Sequence, residues 1–156
     1  MSDDKKFLSR AIELAASGIK CGGGPFGAVI TENGKIIAET NNKVVLNTDP
    51  TAHAEILAIR EAAGILGTHD LSGCVLYTSC EPCPMCLGAI YWSGIERVVF
   101  AAGRHDAAEA GFNDEMIYNE IALDPSERHI PFLHIEESVA KEVFRKWEEF
   151  EGKVKY

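Results

Sequence analysis

What this chain lacks narrows its function before any motif is read. No window approaches the roughly 18 consecutive apolar residues a membrane helix needs, so no membrane role is expected. The opening MSDDKKFLSR carries charge with no apolar stretch behind it, which argues against an export signal. Basic charge is scarce: 15 Lys and Arg stand against 24 Asp and Glu, for a net charge of −9, and no basic run is visible. A nucleic-acid binder needs such groups to neutralise phosphates and release counterions. The deficit therefore favours a small substrate. Internal repeats, low-complexity segments and a splitting linker are also missing, so one domain over residues 1–156 is expected. An odd cysteine count of five, without an export signal, argues for reduced thiols in a cytoplasmic protein rather than a disulfide framework.

The chain has an ordinary globular composition, 46% hydrophobic and 25% charged, and is long enough to bury a core. KKFLSRAIELAASGI sets Phe7, Ala11, Leu14, Ala15 and Gly18 on one helical face, ended by glycines. GAVIT and KIIAET flank Asn33-Gly34, a strong hairpin signal. A polar loop, NNKVVLNTDP, leads to a helix expected to open near Pro50 or Thr51 and close near Gly64 to Gly67. GCVLYTS reads as a buried strand, PCPMCLGAIYWSG as a helix and RVVFAA as another strand. Two further helices are expected around Asp114 to Ile121 and Ser138 to Phe150, with an extended piece near Ile130 to Ile135. Strands alternating with helices after a hairpin predict an α/β layer structure with a largely parallel sheet. Reactive groups in such sheets gather at strand-to-helix turns.

The chemistry concentrates in YTSCEPCPMCLGAIYW. Pro82 restricts Glu81 to extended conformations, so no helix runs from Cys80 through to Cys86. Pro82 or Pro84 suits a first helical turn, which puts Cys83 and Cys86 three apart on one face of the opening turns. Two thiolates at that spacing bind a zinc ion at about 2.3 Å each, and a tetrahedral ion needs more ligands. His53 is the natural third. A single histidine is more often a surface or core residue, but this one stands two residues before Glu55 between apolar neighbours, at a helix start.

Two arrangements are open. In one, Cys80, Cys83, Cys86 and His53 close the site, and zinc only stabilises a binding module. Against it stand the proline break, which aims Cys80 away, and the lack of a second CxxC pair. In the other, His53, Cys83 and Cys86 leave a fourth position for water, which zinc acidifies towards neutrality. Glu55, beside the metal but not on it, then accepts and passes on the proton. Cys21 and Cys74 read as small apolar residues.

His53-Ala54-Glu55 followed by Pro82-Cys83-Pro84-Met85-Cys86 matches the H-x-E and P-C-x-x-C signature of zinc nucleobase deaminases. With GGPFGAVI, DPTAHAE, DAAEAGFND and the terminal Tyr156, the chain resembles the bacterial guanine deaminases of the cytidine/deoxycytidylate deaminase-like zinc hydrolase superfamily almost end to end. The resemblance implies a three-layer α/β/α fold around a five-stranded mixed sheet, and one zinc per subunit. It also implies hydrolysis of guanine to xanthine and ammonia, with Glu55 and Asp114 as catalytic carboxylates. Phe26, Asn42 and Ala54 are implied to line the base pocket, Asp114 to face the amine, and Trp92 and Tyr156 to close the pocket. Asn42 offers both a donor and an acceptor for a purine edge, although a loop turn explains it equally well. The last segment, about 138–156, is expected as a lid or an element exchanged within a homodimer, with AAGRHDAAEAG as a hinge. Guanosine, cytosine, an aminotriazine and transfer-RNA adenosine are the alternative substrates.

Overall fold

The computed structural model describes residues 3–155, so the expectation for Tyr156 lies outside the described residues. The chain divides into two compact units, residues 3–115 and residues 116–155.

The first unit opens with α1 (Asp3–Lys20), which buries Phe7, Ala11, Ala15 and Gly18, four members of the predicted face. β1 (Gly27–Glu32) and β2 (Lys35–Asn41) form the predicted hairpin. Its turn places Asn33 at φ 49° and Gly34 at φ 74°, the left-handed pair that a two-residue hairpin turn requires. There follow α2 (Val44–Asn47), α3 (Ala54–Leu66), β3 (Cys74–Cys80), α4 (Pro84–Trp92), β4 (Arg97–Ala102) and α5 (Arg104–Glu109). α2 and α5 were not anticipated. α5 occupies the stretch expected as a hinge, where its alanines favour helix.

The described strands make one four-stranded sheet in the order β2-β1-β3-β4. It is mixed rather than largely parallel, because β1 runs antiparallel to both its neighbours while β3 and β4 are parallel. β2, β3 and β4 therefore point the same way, and helices supply both crossovers, as parallel connections demand. The predicted piece at residues 130–135 is irregular, so the described residues hold four strands where five were expected. A strand exists only through its ladder, and an apolar run alone does not supply one.

Alternation along β3 feeds two cores. Cys74 and Leu76 face Ala54, Ala58 and Ala62 of α3, together with Ile90 of α4. Tyr77 joins Phe7 and Ala11 of α1 on the opposite face. Small residues let α1 lie close to the sheet. A Cβ on Gly27 would sit 2.2 Å from the Ala11 carbonyl oxygen and 2.6 Å from the Ala15 nitrogen.

The second unit comprises α6 (Glu115–Ala122, beginning at the boundary), a 3-10 turn (Pro125–Glu127) and α7 (Ser138–Glu149). Arg128 organises its middle, donating from Nε to the Glu120 carbonyl at 3.2 Å and standing 4.8 Å over the Phe132 ring. None of the described helices is long and apolar enough to cross a membrane.

The backbone of α1 cannot yield to a methyl group at Gly27 without leaving the sheet. Gly27→Ala is expected to cost about 3 kcal/mol, read as a lower denaturant midpoint; an unchanged midpoint would contradict this close approach.

Candidate metal centre and catalytic site

β2 and β3 end at the same edge of the sheet, and the helices that follow them begin there. α3 starts later than its sequence pattern suggested, while α4 starts at Pro84, one of the two prolines expected in its first turn. Asp49 accepts from the Thr51 N–H at 2.8 Å and from its hydroxyl at 2.7 Å, and its carbonyl accepts from Ala52. This turn delays α3 until Ala54 and leaves His53 at the N-cap with extended ψ of 153°. Pro84 sets the first turn of α4, and Cys83 becomes its N-cap with ψ of 168°. An N-cap side chain ordinarily accepts from its own helix; neither His53 nor Cys83 does so. Both are free to turn outward.

They turn towards each other. His53 Nδ1 lies 3.5 Å from the Sγ of Cys83 and 3.5 Å from that of Cys86. The ligating atoms of all three residues lie within 4.8 Å of one another. Two sulfurs and an imidazole nitrogen at these separations form a donor set suited to zinc. Cys80 is not in the cluster: it is buried, with its Sγ 3.7 Å from the Gly103 carbonyl oxygen. The four-ligand arrangement is not what the fold builds.

The electrostatics of the cluster fit the same reading. The neighbouring Cys86 and His53 bring the Cys83 thiol down to about 4 despite its burial. The closeness of Cys83, with burial and the nearby Glu55, pushes Cys86 well above the usual thiol range. His53 is raised, chiefly by its contact with Cys83.

Glu55 lies two residues into α3 and is only 4% exposed. Burial pushes its carboxyl above the usual range. Its Oε1 accepts from the Thr78 hydroxyl at 3.1 Å, while Oε2 lies 3.5 Å from Cys86 Sγ. The carboxylate thus borders the cluster without belonging to it. Asp114 is half-buried, and its carboxyl is raised first by burial and then by the negative charge of Cys83.

The remaining predicted residues divide. Asn42 is 6% exposed. Its Oδ1 accepts from the backbone N–H groups of Gly24 and Val44, at 3.3 and 3.2 Å. With the oxygen so engaged, the amide presents its NH2 as donor, a narrower role than the donor-and-acceptor one read from the sequence. Ala54 is fully buried at the first helical position, where the N–H has no partner within the helix. Phe26 packs edge-on against Phe112, with centroids 4.9 Å apart and planes at 84°. Phe112 was not singled out in the sequence, although its place two residues before Asp114 was a usable signal. Trp92 is the last residue of α4, six residues beyond Cys86, and is 70% exposed.

Comparison with known proteins agrees with this geometry. Residues 1–102 match the model of the cytidine and deoxycytidylate deaminase zinc-binding region. The chain is 53% identical over 151 residues to guanine deaminase of Bacillus subtilis, covering 96% of this chain and 97% of that protein. The X-ray structure of a Bacillus subtilis guanine deaminase superposes with a TM-score of 0.94 at 52% identity, covering 97% and 98% of the two chains. A tRNA-specific adenosine deaminase of Aquifex aeolicus is 44% identical over 109 residues, 69% of this chain and 72% of that protein. The crystal structure of NE0047 in complex with 2,6-diaminopurine has a TM-score of 0.69 at 42% identity, covering 71% of this chain and 62% of that one.

Metal ligands bind deprotonated, so zinc must displace the Cys86 proton and any proton on His53, while Cys83 at neutral pH has already lost its own. Raised values on Cys86 and His53 mean that zinc affinity falls as pH falls. Calorimetry in buffers of different ionisation enthalpy is expected to show release of about one proton or slightly more per zinc near neutrality. Zero release would mean that Cys86 holds no proton for zinc to displace.

Proposed function

The chain belongs to the cytidine and deoxycytidylate deaminase zinc-binding family, and from that premise we infer that it hydrolyses guanine to xanthine and ammonia. The observation that carries the reading is a buried carboxylate, Glu55, facing a His-Cys-Cys cluster built on two helix N-termini. Guanine is favoured over transfer-RNA adenosine because the Bacillus subtilis guanine deaminase matches 96% of this chain, against 69% for the Aquifex aeolicus tRNA-specific enzyme. The net charge of −9 points the same way.

In this reading His53, Cys83 and Cys86 hold one zinc, which when bound brings the pKa of a coordinated water near neutrality. Glu55 takes up the water's proton at Oε2, the oxygen that faces the cluster. It would pass that proton to the ring nitrogen beside the amine-bearing carbon as the water's oxygen bonds to that carbon, and then carry a second proton, from the new hydroxyl, to the amine, which departs as ammonia when the C–N bond breaks. Burial of Glu55 suits this cycle, because raising its pKa brings proton uptake and release closer in energy near neutral pH. Asp114 accepts from the hydrogens of the exocyclic amine. Asn42 donates its NH2 to an acceptor on the purine edge. Ala54 and the Phe26–Phe112 pair wall the base.

The proposal extends to a cytoplasmic homodimer in which the C-terminal segment closes a pocket with Tyr156, and Trp92 assists. Exposed apolar side chains support it. Along α7, Val139, Val143, Phe144 and Trp147 are 69%, 61%, 73% and 43% exposed on one stripe, and Tyr91 and Trp92 are exposed in the first unit. Soluble monomers rarely leave such surfaces uncovered.

Ammonia release is to be measured over guanine, guanosine, cytosine, cytidine, adenine and ammeline. Activity is expected on guanine, and Glu55→Ala is expected to lower it by about 100-fold or more with zinc content unchanged. Equal rates with and without the carboxylate would refute its proton-transfer role, and preference for another base would displace guanine. Deleting the last four residues is expected to reduce turnover while zinc stays bound and light scattering still reports twice the chain mass. Unchanged kinetics would remove the tail from the pocket.

A further inference from the structure

One row of residues across the sheet contains two threonines that the mechanism above leaves unused. Ala28 of β1 is paired with Thr40 of β2 on one side and with Thr78 of β3 on the other. Threonine is common in strands for its branched shape, and valine fills the same space. Here both hydroxyls are buried, Thr40 being 8% and Thr78 0% exposed, and a buried hydroxyl needs a partner. Both find theirs in the first turn of α3. Thr40 Oγ1 donates to the Ala54 carbonyl at 2.6 Å, and Thr78 Oγ1 donates to Glu55 Oε1 at 3.1 Å. Ala28 between them leaves room for that turn to approach the sheet.

We propose that Thr78 is a positioning residue for the reaction, tying Glu55 Oε1 to β3 so that Oε2 alone is presented to the metal cluster. A carboxylate can rotate about its last bond, and its terminal torsion has a broad minimum. Rotation would exchange the two oxygens or swing both off line, and proton transfer needs the accepting oxygen within hydrogen-bond reach. The hydroxyl removes that freedom from the side away from the substrate. Thr78 is not among the cluster residues and its hydroxyl is spent on Glu55, so it acts through Glu55. The inference rests on the deaminase reading, because only there does the orientation of Glu55 matter to turnover.

Thr78→Val keeps the shape and removes the hydroxyl; Thr78→Ser keeps the hydroxyl and removes the methyl. The valine variant is expected to lose about 10- to 100-fold in kcat, with KM within about threefold of wild type and one zinc retained. The serine variant is expected to recover kcat to within about threefold. A valine variant with wild-type kcat overturns the proposal. So does equal loss in both variants, which would assign the effect to packing, or a loss matched by missing zinc. The ratios are read on whichever base of the panel the wild type deaminates, so failure on guanine alone counts against the substrate assignment only. Failure on every base overturns both.

Discussion

Two helices begin at the same edge of the sheet, and each gives its N-cap position to a metal ligand instead of to its own backbone. The site depends on that substitution. A helix N-terminus carries unsatisfied N–H groups and partial positive charge, which favours thiolate and carboxylate nearby. His53 and Cys83 have extended ψ values, so their side chains leave the helix axis and meet, while Cys86 projects one turn further along α4. Backbone conformation, fixed by Pro84 on one side and the Asp49 turn on the other, thus sets the ligand geometry.

Behind the ligands the design is one of controlled burial. Glu55 is taken out of water, which by itself makes a carboxylate harder to ionise and easier to protonate. The cost of enclosing a polar group is offset by a hydroxyl from β3, by the Cys86 thiol and by the helix start on which it sits. Asn42 shows the same logic one loop away, where two backbone N–H groups occupy the oxygen of its buried side chain. Glycines make this possible: a Cβ on Gly24 would lie 3.1 Å from that oxygen, and one on Gly23 only 2.4 Å from the Asn42 carbonyl.

The two units differ in how well they enclose apolar surface. In the first, α1 and α3 cover opposite faces of the sheet and bury its alternating residues. In the second, Leu133 is 85% exposed and α7 displays an apolar stripe. A unit of this size cannot bury enough surface alone.

The elements were largely legible because their signals are local. The Asn33-Gly34 hairpin, the α1 face and the strands at GCVLYTS and RVVFAA follow from backbone sterics and hydrophobic period. The chemical identity of the site was legible for a different reason: His53, Glu55, Cys83 and Cys86 have a spacing that little else in a soluble chain demands. Local signals misjudged the start of α3, because a side-chain turn at Asp49 decides it, and they gave α5 no helix. Tertiary structure alone decided that Cys80 faces Gly103 instead of the cluster. It alone also assigned Oε1 of Glu55 to Thr78 and aligned Thr40, Ala28 and Thr78 in one row. Those facts join residues 12 to 50 positions apart, and only strand pairing and helix docking bring such residues within hydrogen-bond distance.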